Sequence, residues 1–112
     1  MAYNEQLAER IREHLAATED LAQLREQKMF GGIAFMWRGN MLVGVHEDRL
    51  LVRVPREDTD AELQQPRVHP FDITGKPMRV WLSVEADAAK TKRDLARWIA
   101  RSRAYVATLP PK

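Results

Sequence analysis

The chain contains no cysteine. Disulfides, thiolate zinc sites and a cysteine nucleophile are thereby excluded, and the lack of any bridge fits a reducing cytoplasm. Long apolar runs are missing too. The longest, Ile33 to Trp37, ends at Arg38, far short of the roughly 20 residues of a membrane-spanning helix. The N-terminus, Met1-Ala2-Tyr3-Asn4-Glu5-Gln6, is polar and has neither the basic start nor the apolar centre of a signal peptide. A cytoplasmic protein with no membrane partner is expected. Charge of one sign is scarce, the formal net charge being +2 over 112 residues. It is unevenly spread: residues 87–112 carry seven basic side chains against two acidic, and the remainder eleven against fourteen. That asymmetry is the electrostatic pointer to an anionic partner. Nothing divides the chain, since it has no internal repeat, low-complexity tract or linker, so residues 1–112 are expected to form one domain with a sizeable core.

What the chain does contain is a rich pattern of turns and alternations. Leu7, Ile11 and Leu15 recur at helical spacing, so a helix is predicted from about Asn4, its N-cap, to Ala17. A first strand is read from about Leu24 to Phe30, although Leu24-Arg25-Glu26-Gln27 could equally prolong a helix. Gly31-Gly32 then permits a tight reversal, Ile33, Phe35 and Trp37 alternate along a central strand, and Gly39-Asn40 supplies a second hairpin turn. Met41 to His46 and Arg49 to Val54 form the next pair around Glu47-Asp48, ending at Pro55. Gly44, inside a strand, calls for a bulge or for the close approach of another element, a helix packed over it being preferred.

Thr59 with Glu62 three residues on reads as a capping box, which predicts a short helix from about Asp60 to Gln65 before Pro66. Residues 66–77 read as an ordered loop or an edge strand at Phe71 to Thr74, followed by a strand from Met78 to Glu85. From Asp87 or Ala88 to Leu109 a last helix puts Leu95, Trp98, Ile99, Ser102, Tyr105, Val106 and Leu109 on one broad face, and Pro110-Pro111 stops it. The fold class is α+β. It is a two-layer architecture of order α-β-β-β-β-α-β-α, with helices packed on an antiparallel sheet of five or six strands.

Candidate chemistry is sparse. His14, His46 and His69 fall on three different elements without the i, i+4 spacing of a metal pair, and no orienting partner for a catalytic histidine is evident. Glu47, Asp48 and Asp72 read as solvated turn acids. Gly31-Gly32 leads into a strand and not into a helix N-terminus, which argues against a phosphate loop. No cofactor, no metal and no enzymatic activity are expected. A small enzyme with an unfamiliar site ranks last.

Lys90, Arg93, Arg97 and Arg101 are spaced 3, 4 and 4 apart, which makes a basic stripe on the last helix suited to phosphates. Trp98 and Tyr105 lie on its core side, so the stripe has no stacking platform, and a solvated face is the preferred reading over nucleic-acid contact. Met29, Met36, Met41 and Met78 concentrate on strands as core or adaptable surface. Trp37 and Trp81 are strand residues that would mark a protein-partner or homodimer site if one sheet face is open.

Taken together, Lys28-Met29-Phe30-Gly31-Gly32, Phe35, Gly39-Asn40-Met41, Gly44-Val45, Leu51-Val52-Arg53 and Thr74-Gly75-Lys76-Pro77-Met78 resemble the N-terminal domain of the TfoX (Sxy) family, over nearly the whole chain. The resemblance implies an antiparallel sheet with helices on it, similar to secretion-chaperone-like folds. It also implies a setting in competence regulation, where full-length members act with a transcription factor at promoters. This chain stops at Lys112, short of their C-terminal domain, so a small single-domain member is expected. No catalytic residue is implied. Lys28, Met29, Phe30, Gly31, Gly32, Gly39, Gly44, Arg53, Gly75, Pro77 and Met78 are then structural motif residues, and the leading function is a non-enzymatic interaction and regulatory module. Weak nucleic-acid binding is the alternative.

Overall fold

The computed structural model describes residues 3–19, 21–29, 31–72 and 77–111, and of Met29, Asp72, Pro77, Met78 and Arg79 it describes backbone placement only. Along the described chain run α1 (Glu5–Thr18), β1 (Leu24–Met29), β2 (Gly32–Trp37), β3 (Asn40–His46), β4 (Arg49–Arg53), α2 (Thr59–Glu62), β5 (Val68–Asp72), β6 (Pro77–Glu85) and α3 (Lys92–Val106). Short 3-10 turns occupy Leu21–Gln23, Arg56–Asp58 and Ala86–Ala89. The strands form one antiparallel sheet in the order β1-β2-β3-β4-β6-β5, and the helices make a second layer, the α+β fold expected. No helix among the described residues is long and apolar enough to cross a membrane.

Alternation decides which side chains enter the core. Ile33, Phe35, Val43, Val45, Leu50, Val52, Leu82 and Val84 fall in register on the face that α1 and α3 cover, and all are buried. α1 adds Leu7, Ile11 and Leu15, while α3 adds Leu95, Trp98, Ile99 and Val106. Asn4 is the N-cap of α1, its Oδ1 accepting from the Leu7 amide at 3.1 Å. It also ties the helix to the β3–β4 turn, because its own amide donates to the Glu47 carbonyl (2.7 Å) and its Nδ2 to Asp48 (2.6 Å).

The opposite face is also partly covered. Ala34, Leu51 and Ser83 share it and are buried. β3 and β5 are separated by two strands, yet the rings of His46 and Phe71 meet edge to face at 5.5 Å. A register shift between Pro70 and Phe71 bends the β5–β6 hairpin across that face.

Several local readings need correction. The two-residue turn between β2 and β3 is Arg38-Gly39, at φ 54° and 83°, and not Gly39-Asn40. Both central positions of such a turn take positive φ, and Asn40 already belongs to β3, where its Nδ2 donates to the Pro110 carbonyl at 2.9 Å. No helix packs over Gly44. A Cβ there would meet the Ile33 carbonyl oxygen at 2.9 Å and Met41 Cε at 2.8 Å, so the sheet itself demands glycine. The bulge lies beside it, at Leu42, since Phe35 pairs with Val43 and Met36 with Met41.

Thr59 is not an N-cap. It sits at φ −56°, ψ −49° inside the helical region, and Glu62 turns inward to pair with Arg101. α2 ends at Glu62 rather than Gln65. The last helix is divided: Thr91 Oγ1 accepts from the Asp94 amide at 3.0 Å and starts α3 afresh after the Ala86–Ala89 turn. The stretch read as loop or edge strand is an edge strand, displaced to Val68–Asp72, while Phe30, Ile73, Thr74 and Gly75 lie outside the described residues.

Candidate interaction surface

α3 meets the sheet at a seam. The β3–β4 ladder runs from His46–Arg49 to Val43–Val52 and stops where Leu42 would face Arg53. Ser102 Oγ occupies the gap, accepting from the Arg53 amide and donating to the Leu42 carbonyl, each at 2.7 Å. Arg53 fills the space beside it. Its guanidinium donates from Nη1 to the Met41 carbonyl (3.0 Å) and lies 4.9 Å from the Trp81 ring and 5.5 Å from the Tyr105 ring. Burial pulls its pKa below the ordinary arginine value, with Tyr105 opposing, and its Nε is buried with no hydrogen-bond partner among the described residues. Arg53 is thus held by two aromatic faces and a carbonyl.

Trp37 is unavailable to a partner. Only 1% of it is exposed, because its place on the helix-covered face puts its ring between the guanidinium groups of Arg38 (4.5 Å) and Arg103 (4.7 Å). Arg103 in turn donates to Glu19 at 2.6 Å, which fastens α3 to the end of α1. Trp81 is half-buried against Arg53. The exposed tryptophan pair expected of an open sheet face is therefore not formed.

The basic stripe is broken up as well. Lys90 lies outside α3, before the Thr91 cap, and its carbonyl accepts from Arg10 (3.0 Å). Arg101 pairs with the buried Glu62 carboxylate. Arg93 and Arg97 remain exposed, Arg97 lying 5.8 Å over the Trp98 ring.

The histidines stay apart. His46 contacts Phe71, His14 is half-buried on α1, and His69 Nε2 meets Glu85 Oε2 at 2.6 Å. That last pair was invisible in the sequence, being brought together only by the β5–β6 pairing. Its hydrogen bond holds the Glu85 carboxyl below the usual carboxylate range, helped by Arg49 and Arg67. Both side chains are more than a third exposed, at 37% and 39%, which marks a surface pair rather than an enclosed acid–base site. No group of three metal-ligating side chains occurs among the described residues.

The two edges of the sheet differ. β5 has its outward backbone donor removed by Pro70 and is bent by the neighbouring bulge. β1 has neither device. Arg38 donates its amide to the Gln23 carbonyl at 3.0 Å, and in the register that follows Arg25, Gln27 and Met29 turn their backbone groups toward β2. The amides and carbonyls of Leu24, Glu26 and Lys28 consequently face outward. Arg25, Glu26, Gln27 and Lys28 are exposed. Beside this edge, Leu15, Ala16, Leu21, Leu24 and Phe35 line a shallow groove of about 190 Å³, and Leu21 is 65% exposed. Arg12 on α1 steadies the strand by donating from Nε and Nη2 to the two oxygens of Glu26, at 2.6 and 2.7 Å. The same bonds hold the Glu26 carboxyl below its ordinary pKa and raise that of Arg12.

The motif residues now have physical roles. Gly31 turns the β1–β2 hairpin at φ 74°, and Gly32 passes so close to Val45 that a Cβ would lie 2.1 Å from its carbonyl oxygen. Gly39 completes the next turn, Gly44 admits the Ile33 carbonyl, Arg53 fills the seam, and Pro77 and Met78 begin β6 opposite Asp72 and Phe71. Lys28 stands on the open edge. No curated protein and no solved structure matches the chain. The family model for the TfoX N-terminal domain matches residues 16–105, a span that holds β1 to β6, the seam and most of α3, and the chain therefore belongs to the TfoX N-terminal domain family.

Proposed function

We propose that this chain is a non-enzymatic interaction and regulatory module that engages a protein partner or a second copy by strand addition at β1. The observation that carries the reading is an edge left open among the described residues, with the outward backbone groups of Leu24, Glu26 and Lys28 beside an apolar groove. Strand addition uses such main-chain groups for affinity and a neighbouring pocket for side-chain selection. Family membership supports a regulatory setting of the kind occupied by full-length members in competence and transcription. The absence of cysteine supports a cytoplasmic location.

Lys28→Pro tests the edge. Proline removes an outward donor and leaves the β1–β2 ladder untouched, so the variant is expected to fold with an unchanged melting temperature while losing captured partners or self-association. Undiminished capture by a folded Lys28→Pro chain would exclude β1 as the contact.

A second reading, nucleic-acid contact, rests on Arg93 and Arg97, which stand exposed on α3 while Lys90 lies before it and Arg101 is paired with Glu62. Two phosphate contacts imply a slope of about −2 for log affinity against log salt on duplex DNA, not the roughly −4 that four contacts would produce. Labelled DNA and RNA titrated across a salt series decide it. Binding unchanged in an Arg93→Glu, Arg97→Glu double variant removes the idea.

A further inference from the structure

We propose that the partner at β1 is a second copy of this chain, joined in one particular antiparallel register about a two-fold axis; this rests on the strand-addition reading above. Only residues whose backbone groups face outward can be hydrogen-bonded across the new junction, namely Leu24, Glu26 and Lys28. Any register that sets an outward residue against an inward one is thereby excluded, including the pairing of Arg25 with Lys28. Four two-fold registers then remain that pair at least three residues of the Leu24–Met29 strand. One places Arg25 opposite Arg25, one Glu26 opposite Glu26, and one Lys28 opposite Lys28, each setting like charges face to face on the axis.

The fourth centres on Gln27. It pairs Gln27 with Gln27, Glu26 of each copy with Lys28 of the other, and Arg25 with Met29, which joins five residues of each strand. Every charged residue that is directly opposed by another charge is then opposed by its opposite. Because a two-fold axis normal to the sheet keeps each layer on its own side, the helices of both copies lie on the same face. The result is a continuous twelve-stranded sheet whose remaining edges are the two β5 strands, both closed by Pro70 and the bulge. Charges on an edge ordinarily repel indiscriminate pairing. Here Arg25, Glu26 and Lys28 each oppose one register, Glu26 less strongly because Arg12 of its own copy already pairs with it, and the Gln27 register alone sets no like charges together.

The chain has no cysteine, so one engineered thiol reports the register directly. Gln27→Cys sets two thiols opposite each other on the axis at a non-hydrogen-bonded pair, within the Cα separation of about 4.4–6.8 Å that a disulfide requires. Under mild oxidation it is expected to give a covalent dimer in high yield, while Arg25→Cys and Lys28→Cys, each offset from its own copy, stay largely uncrosslinked. Sedimentation of the unmodified chain should give twice the 13.0 kDa of one copy at high concentration. Lys28→Glu should weaken that association by at least about tenfold, and so should Glu26→Lys. Mixed together, the two variants should restore it as a heterodimer, since each Glu then faces a Lys; a merely misfolded variant could not be rescued this way. Should Glu26→Lys fail to fold without its bond to Arg12, the cysteine series still decides.

A mass of 13.0 kDa at every concentration, or crosslinking at position 27 no faster than at 25 and 28, overturns the inference. If the chain is monomeric yet loses a different protein partner on Lys28→Pro substitution, strand addition stands and the second copy is excluded. If Lys28→Pro leaves all association intact, both readings fail together.

Discussion

Replacing Ser102 with alanine is expected to lower the stability of the fold by about 2–4 kcal/mol, a fall in melting temperature of roughly 10–20 °C. The serine is fully buried, and its hydroxyl accepts from the Arg53 amide and donates to the Leu42 carbonyl where the β3–β4 ladder parts. Alanine leaves one donor and one acceptor in the seam without a partner, each costing about 1–3 kcal/mol. The cavity left behind is too small to matter by comparison. Thermal and urea unfolding of Ser102→Ala, with Ser102→Thr alongside to keep the hydroxyl, would measure it. A Ser102→Ala protein within about 0.5 kcal/mol of the parent would mean that the two strands can close the ladder unaided, a cost within the ordinary scatter of surface substitutions.

Gly32→Ala should do more damage still. Its Cβ would lie 2.1 Å from the Val45 carbonyl oxygen, 3.1 Å from the Val45 carbonyl carbon and 3.2 Å from the His46 Cα. All three are backbone atoms, so no rotamer change relieves the clash, and β2 and β3 must separate. A loss of at least about 4 kcal/mol follows, enough to leave the chain largely unfolded or insoluble. The adjacent Gly31→Ala makes the control. Nothing lies within 4 Å of its Cβ, and the only penalty is the left-handed φ of 74°, about 1–2 kcal/mol. Soluble yield and far-ultraviolet circular dichroism of the pair separate the two mechanisms. Equal behaviour of the two variants would show that conformation and not the close approach governs the motif.

These two expectations mark where the sequence was legible and where it was not. The periodicity of Leu7, Ile11 and Leu15 and the alternation of Ile33, Phe35 and Trp37 report side-chain phase, and the sheet and both long helices follow from it. Asn4 as a cap follows from local chemistry. Thr91 offered the same kind of signal, three residues before Asp94, but it falls inside the stretch read from Asp87 or Ala88 to Leu109 as one helix. The Gly39-Asn40 dipeptide misplaced a turn by one residue because arginine, at position 38, takes the left-handed conformation that the dipeptide assigns to asparagine.

The seam could not be read at all. Phase tells which way Ser102 points but not that Leu42 and Arg53 lack partners, which depends on a bulge in β3 and on where α3 crosses the sheet. Arg101 shows the same limit from the other side. Its spacing puts it in a basic row, while its charge is engaged by Glu62 from a different element. The open edge was equally hidden, because whether a strand is terminal in its sheet is a property of the sheet order.

The seam also has a bearing on how the molecule is made. β1 to β4 form consecutive hairpins and can pair as soon as they leave the ribosome. The hydroxyl that completes the junction between β3 and β4 comes from position 102, and the arginine that encloses Trp37 from position 103. Until almost the last turn of helix has been synthesised, the nascent meander carries an open joint in its centre and an uncovered apolar face. Completion of the sheet therefore waits on residues made some 60 positions later. The meander is a sheet held unfinished until α3 arrives to lock it.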